Sequence, residues 1–537
     1  MTETTLPPMI QHMLKPEFYP HPVPPASQAP DRPLDTAEYP ESPDFYPPSE
    51  TTIQLIQTHV SYVLLTGEFA YKVKKPVNFG FLDYSTLEKR KFYCEEELRL
   101  NKRAAPELYL EVLPVTQSGT DALPHYQLGG SGEIVDYVVK MRQFPQNALL
   151  TSLFEQSELT ENLLRELAQV IADFHASTQT NDYIRSFGEV SQVRQAFDEN
   201  FEQTEQYIGG PQTQQQFDET RAYCDRFFAT QKPLFDERMQ NERIRECHGD
   251  LHLRNICYWN DRLWLFDCIE FNEPFRFVDV MYDIAYIVMD LEARKRTDLS
   301  NLFLNEYIEQ TGDWEGLQVL PIYVSRQTYV RAKVTSFLLN DPGVPDIEKQ
   351  KASETAALYY RLAWECSQTQ DGQLIMMSGL SGSGKTTVAR HLARQSNAIH
   401  IRSDAVRKHL AGIPLMQRGG SELYTAEMTQ KIYDRLLDLG VKLASQGYSV
   451  ILDAKYDRQS LRKAVISKAE AHHIPLQILH CDAPMDVLRD RLQHRTGDIA
   501  DATADLLPKQ QLESFTDAEQ PYVKRIDTTQ AIESQIE

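Results

Sequence analysis

The run Gly379-Leu380-Ser381-Gly382-Ser383-Gly384-Lys385-Thr386-Thr387 constrains this chain more than any other stretch. An apolar strand, Leu374-Ile375-Met376-Met377-Ser378, leads straight into it, and a helical pattern over Lys385–Arg394 follows. Glycines spaced this way let backbone N–H groups curl around phosphate oxygens, and the helix N-terminus adds a favourable dipole. Lys385 is placed to reach the β- and γ-phosphates, and the Thr386 hydroxyl to coordinate Mg²⁺. A glycine-rich loop alone would say little. With the strand before it and the helix after it, the nine residues read as a nucleotide-binding loop rather than a plain turn.

Around this loop strands and helices alternate: Ile399–Arg402, a helix over Thr425–Gln446, and strands at Ser449–Asp453 and Leu476–Cys481. Such alternation predicts parallel βαβ units and a sheet covered on both faces. Ligands of open parallel sheets sit beyond the carboxyl ends of the strands. Asp404 falls there, just after Ile399–Arg402, and suits a base that accepts the proton of an attacking hydroxyl. Helix capping would use the same residue, and the two roles are compatible. Arg407 then orients the acceptor or steadies phosphoryl charge, and Asp453, closing a second strand, is the metal-supporting carboxylate. Arg489, Arg491 and Arg495 recur on a helix where a lid over phosphates would lie, although one such arginine is more simply a solvated residue.

At these residues the segment 373–537 resembles the small-molecule P-loop kinases, a group running from gluconate and adenylylsulfate kinases to phage polynucleotide kinase and the zeta toxins. The resemblance implies ATP, Mg²⁺ and a hydroxyl acceptor. Ala500 and Lys455 stand where such relatives often carry serine and threonine, and both positions lie near the expected acceptor.

A second chemical signature lies upstream. His248-Gly249-Asp250-Leu251-His252-Leu253-Arg254-Asn255 has the spacing of a kinase catalytic loop, with Asp and Asn five residues apart. That spacing lets Asp250 meet an acceptor hydroxyl while Asn255 turns back to a metal ion on the phosphates. Leu265-Phe266-Asp267 follows as an apolar strand ending in a second metal-ligating carboxylate. Phe69-Ala70-Tyr71-Lys72 has the form of the strand that supplies a phosphate lysine, and Lys74 points to the same face two residues later. The helix Leu87–Arg103 offers Glu95, Glu96 and Glu97 as partners for Lys72.

These residues resemble the aminoglycoside phosphotransferase-like kinases, whose loop reads His-Gly-Asp. In that pattern Glu97-x-x-Leu-Asn makes Glu97 the lysine's partner, and Phe277-Val278-Asp279 with Tyr282-Asp283 fits the helical follow-on. The order of the whole chain resembles bacterial fusions of such a domain to a predicted P-loop kinase. No glycine-rich loop precedes Lys72, only Leu65-Thr66-Gly67-Glu68.

The organisation expected is therefore multidomain: a proline-rich arm over 1–50, a two-lobed α+β kinase-like domain over 51–365, a linker at 366–372, and an α/β P-loop domain over 373–537. Within the first domain, Ile53–Leu65 and Ala70–Lys74 read as strands, followed by Tyr109–Val115 and Ile134–Arg142 and then mostly helices. The arm reads as a tether, or a chain draped over the next domain, rather than a partner-docking segment.

With 537 residues the chain exceeds one core, and 41% hydrophobic with 25% charged residues is ordinary globular composition. No apolar run approaches the ~18 residues of a membrane span. Seven scattered cysteines without a CxxC pair point to a reducing compartment, the cytoplasm. A net charge of −22 disfavours nucleic acid and anionic membranes as partners. The expected function is a phosphotransferase with two kinase-type domains, each moving the ATP γ-phosphoryl to a hydroxyl of a small molecule. Two rivals are a regulatory module in which one domain controls the other, and a polynucleotide 5′-hydroxyl kinase.

Overall fold

The computed structural model describes residues 6–24, 44–45, 53–120, 123–368 and 370–536. Two compact units emerge. The first comprises Met1–Thr160, Asp173–Asp290 and Val324–Trp364; the second comprises Glu161–Ala172, Leu291–Tyr323 and Glu365–Glu537.

The first unit contains a seven-stranded antiparallel sheet built from β1 (Asp44–Phe45), β2 (Gln54–Gln57), β3 (Ser61–Leu65), β4 (Phe69–Lys74), β5 (Tyr109–Thr120), β6 (Leu123–Leu128) and β7 (Glu133–Arg142), in the order β1-β2-β3-β4-β7-β5-β6. The single strand expected over Ile53–Leu65 is two. Thr58 Oγ1 accepts from the backbone N–H groups of Val60 and Ser61, at 3.3 and 2.9 Å, and this side-chain turn folds β2 back against β3. One face of the sheet buries Leu55, Leu64, Tyr71, Val73, Val115 and Val138 against Ile10, Met13, Phe18 and Tyr19. The described part of the proline-rich arm thus lies on the sheet, through the helix Pro8–Met13 and the turn Pro16–Phe18. Asp44–Phe45 of the arm pair with β2 as the edge strand β1, and Pro47-Pro48 with the remaining residues of the arm lie outside the described residues.

The helix Leu87–Asn101 starts at Thr86, whose side chain accepts from Lys89 N. Arg90, Cys94, Glu97 and Asn101 recur at helical spacing and form its buried face. This settles the question left by three adjacent glutamates: Glu95 is exposed, Glu96 half-buried and Glu97 fully buried.

Two short ribbons flank the segment His248–Asn255: β8 (Ile244–Glu246) pairs with β11 (Phe277–Asp279), and β9 (Ile256–Trp259) with β10 (Arg262–Leu265). The β9–β10 turn is Asn260-Asp261, both with positive φ (52° and 56°), the conformation a two-residue hairpin demands. Because Ile256 pairs with Leu265, the residues just outside this ribbon, Asn255 and Phe266-Asp267, are brought side by side.

In the second unit β12 (Gln373–Ser378), β13 (Ile399–Arg402), β14 (Ser449–Asp453), β15 (Leu476–Asp482) and β16 (Val523–Asp527) form a five-stranded parallel sheet in the order β13-β14-β12-β15-β16. The helix Thr297–Thr311 covers its β13 edge. Asn305 Oδ1 accepts from His400 N (2.7 Å), and Asn301 and Asn305 both donate to Ala398 O (3.0 and 3.1 Å). Asparagine side chains thereby satisfy backbone groups of an edge strand that has no strand neighbour on that side. A cut at 366–372 would separate this helix from the sheet it caps, so every experiment below uses the full chain. Among the described residues no helix is long and apolar enough to cross a membrane.

Candidate active sites

In the first unit Lys72, on β4, ion-pairs with Glu97 Oε1 at 2.8 Å and with Asp267 Oδ1 at 2.5 Å. Asn255 Nδ2 donates to Asp250 Oδ2 at 3.1 Å and to the Asp250 carbonyl at 3.0 Å. Two groups therefore form, Lys72 with Glu97 and Asp267, and Asn255 with Asp250, and the backbone N–H of Phe266 donates to Asn255 O at 3.0 Å between them. Burial works against the charge on Glu97, yet Lys72 and Lys74 hold its carboxyl down at about 2. Burial likewise opposes ionisation of Asp250, but His252 and Arg331 bring it to about 2, so this carboxylate is charged at any working pH. Asp267 adopts φ 63°, a left-handed conformation that aspartate tolerates better than most residues. Its backbone N–H is held by Tyr109 Oη at 3.1 Å, and that of Cys268 by Asn101 Oδ1 at 2.9 Å.

The catalytic-loop turn is organised from beneath by Asp283, whose role its sequence context did not announce. Its carboxylate accepts from the backbone N–H groups of His248 (2.9 Å) and Gly249 (2.8 Å) and from His175 Nε2 (3.0 Å). Gly249 is required on two counts: its φ is +86°, and a Cβ there would lie 2.7 Å from Phe275 O. Asp283→Ala leaves at least two buried amides without an acceptor, at about 1–3 kcal/mol each. We expect a loss of about 3 kcal/mol, read as a lowered urea midpoint for the transition that includes this unit. A shift equivalent to less than about 1 kcal/mol would mean that water replaces the carboxylate.

In the second unit Gly379, Ser403-Asp404, Asp453 and Asp482 all fall at the carboxyl edge of the parallel sheet, with Arg402 of β13 in register with Asp453 of β14. Gly379, Gly382 and Gly384 have φ of 141°, 81° and 85°, and Cβ atoms on the first two would lie 2.3 Å from Cys481 O and 2.8 Å from Leu488 O. Lys385 Nζ folds onto Leu380 O at 2.8 Å, and burial lowers its pKa. Thr386 Oγ1 donates to Asp453 Oδ2 at 2.7 Å, and His400 Nε2 meets the same oxygen at 3.0 Å. Burial alone would raise Asp453, but His400, Lys385 and Arg402 bring it down to about 2. Asp404 moves the other way: burial raises its pKa against the guanidinium groups of Arg402 and Arg407, and the negative charge of Asp453 adds to the rise. Burial and neighbouring charge thus push the two acidic residues in opposite directions.

Arg407 donates to Leu423 O at 2.6 Å, with its guanidinium 4.6 Å from the centre of the Tyr424 ring. Arg491 donates to Gly382 O (3.4 Å) in the loop and to Thr528 O (2.7 Å). Gln510, which no motif singled out, accepts from Ser381 N and donates to Ser381 Oγ, both at 3.0 Å.

The sequence profile of the phosphotransferase enzyme family matches residues 94–320, and that of the AAA domain matches 374–521. Uncharacterized proteins of Mycobacterium tuberculosis and Mycobacterium bovis are 30% identical over 461 residues, which cover 85% of this chain and 89% of theirs. Among solved structures, a sugar kinase from Janibacter sp. HTCC2649 is 24% identical, covering 32% of this chain and 91% of its own, with a TM-score of 0.23. A choline/ethanolamine kinase family protein from Mesorhizobium loti is 11% identical, covering 59% of this chain and 92% of its own, with a TM-score of 0.34. Both domains are kinase-type phosphotransferase domains, and the chain belongs to the bacterial family that joins an aminoglycoside phosphotransferase-like domain to a C-terminal AAA-type P-loop kinase domain.

Proposed function

We propose that each domain transfers the γ-phosphoryl of ATP to a hydroxyl of a small molecule, with Asp250 and Asp404 as the proton-accepting carboxylates. The observation that carries this reading is the pairing of Lys72 with Glu97 and Asp267, beside the Asn255–Asp250 pair that the β9–β10 ribbon sets next to Phe266-Asp267. Phosphoryl transfer asks a protein mainly for positioning and charge neutralisation, and these side chains supply both.

The residues present fit Mg·ATP in both halves. In the second unit, among the described residues, the Ser383 hydroxyl is buried with no hydrogen-bond partner, and Lys385 Nζ donates to a backbone carbonyl. An anion in the loop would satisfy both. Asn255 and Asp267 would hold Mg²⁺ in one half, Thr386 and Asp453 in the other. When bound, the metal neutralises charge on the β- and γ-phosphates. Lys72 and Lys385 bind phosphate oxygens, while Asp250 and Asp404 orient the acceptor hydroxyl and take its proton at a carboxylate oxygen. Arg407 stands three residues beyond Asp404 on the same helix, where it serves acceptor binding. The scattered cysteines support a cytoplasmic setting for these reactions.

One observation favours the regulatory reading for the first unit. The β3–β4 turn is only Thr66-Gly67-Glu68, and Gly67 is fixed by Gln143 Oε1 at 2.8 Å instead of lying free to cover phosphates. Calorimetry with Mg·ATP on the full chain separates the two readings. Two sites per chain, with ADP release on adding a hydroxylated metabolite from a library, is the expected result. Nucleotide binding without turnover for any acceptor would favour regulation. Affinity for oligonucleotides that falls steeply with salt would indicate a polynucleotide acceptor.

A further inference from the structure

Lys72 and Lys74 lie on the same face of β4, because side chains alternate along a strand. Lys74 is only 1% exposed, and a second cation buried beside the phosphate lysine is costly unless anions accompany it. Two do. Glu97 divides its carboxylate, Oε1 to Lys72 at 2.8 Å and Oε2 to Lys74 at 2.6 Å. Glu270 ion-pairs with Lys74 and accepts from the Tyr84 hydroxyl, and the Lys74 ammonium lies 4.8 Å from the centre of the Tyr84 ring. Glu97, Glu270 and Tyr84 are all buried.

Charge accounting gives this arrangement a purpose. Lys72 and Lys74 balance Glu97 and Glu270, which leaves Asp267, with its side chain 44% exposed, as the surplus charge. Lys74 occupies one oxygen of Glu97, so Glu97 offers Lys72 only the other. Lys72 is thus oriented by one oxygen of Glu97 on one side and one of Asp267 on the other. Glu270 also lies three residues beyond Asp267 in the same loop, and Arg276 donates to its carbonyl at 3.2 Å. The Lys74–Glu270 pair therefore ties the loop carrying Asp267 to the strand carrying Lys72, alongside the direct Lys72–Asp267 contact.

We propose that Lys74, Tyr84 and Glu270 form a buried clamp of positioning residues that holds Lys72, Glu97 and Asp267 in their phosphate- and metal-binding arrangement. This rests on the nucleotide-binding reading of the first unit. The test is Mg·ATP calorimetry on the full chain carrying Lys385→Ala, so that binding reports the first unit. Lys74→Met should weaken binding about tenfold, but by less than about twofold when Lys72→Met is already present, because the clamp acts through Lys72. A loss by the same factor in both backgrounds is what a merely structural role would give, and overturns the proposal. Glu270→Gln keeps the bulk and one hydrogen-bond acceptor while removing the charge. It should weaken binding by about threefold or more with little change in melting temperature, and decides the matter if Lys74→Met fails to fold. Parental affinity in Glu270→Gln overturns the clamp alone. No binding by the Lys385→Ala parent instead overturns the nucleotide-binding reading on which the clamp rests.

Discussion

Replacing Lys385 by alanine should reduce the Mg·ATP stoichiometry of the full chain from two sites to one. The Lys385 ammonium is buried beside the glycine-spaced loop, where it donates to the carbonyl of Leu380. A carbonyl contact is easily exchanged for a phosphate, so the charge is available to a ligand. A hydrogen bond to a charged group contributes about 1.5–3 kcal/mol, and this lysine would make more than one, so a loss of about a hundredfold or greater is expected. The pH dependence has a definite sign. Burial lowers the pKa of Lys385, so its charge, and with it the affinity of this site, should disappear at a lower pH than for an ordinary lysine. Thr386→Ala should behave differently. Its hydroxyl sits on Asp453, so removing it should mainly reduce the Mg²⁺ dependence of binding and leave metal-free nucleotide affinity close to parental. Unchanged binding in Lys385→Ala would remove the basis for assigning nucleotide chemistry to Gly379–Thr387.

Both candidate sites are legible in the sequence because their determinants are local. A strand, a glycine-spaced loop and a helix follow one another without interruption at Leu374–Arg394, and the glycines that permit left-handed backbone are visible as letters. The His-Gly-Asp loop and Asp267 were equally plain, since the short β9–β10 ribbon converts a fixed sequence interval into proximity. Features that depend on distant segments were not legible. Strand β6 and the last strand, β16, carry little periodic apolar signal, and each exists because a neighbouring strand pairs with it. The break between β2 and β3 came from one threonine hydroxyl capturing two amides, which an apolar run conceals. Lys74 shares a face with Lys72 by alternation alone, but nothing in the spacing of Glu270 or Tyr84 announces that both would meet Lys74. Asp283 was placed in a helix without its grip on the catalytic loop, because a carboxylate reaching two amides some 35 residues earlier leaves no local pattern. Similarly, Asn301 and Asn305 read as ordinary polar helix positions until β13 is seen beside them.

Asp250→Asn and Asp267→Ala should fail in opposite ways, and this contrast tests whether the first unit carries out chemistry. Asp250 contacts Asn255 and His252, while the phosphate lysine pairs with Glu97 and Asp267. The amide in Asp250→Asn fills the same space and can still accept a hydrogen bond from Asn255, so Mg·ATP affinity should stay within about twofold of parental. What it cannot do is take a proton from the acceptor, and turnover should fall by about 10²-fold or more. His252 and Arg331 bring the parental carboxyl down to about 2 against its burial, which keeps it ionised near neutral pH, so a rate decrease there would belong to another group. Asp267→Ala removes a carboxylate from the metal position and frees Lys72 from one of its two partners, so here Mg·ATP binding itself should weaken, by about tenfold or more. Binding with Mg²⁺ omitted should change far less, because the loss falls on the metal. Calorimetry with and without Mg²⁺ on the Lys385→Ala chain decides the binding half before any acceptor is identified, and turnover decides the rest once one is found. Equal losses of affinity in the two variants would mean that Asp250 is part of the nucleotide site, which would return the choice of base in this unit to an open experimental question.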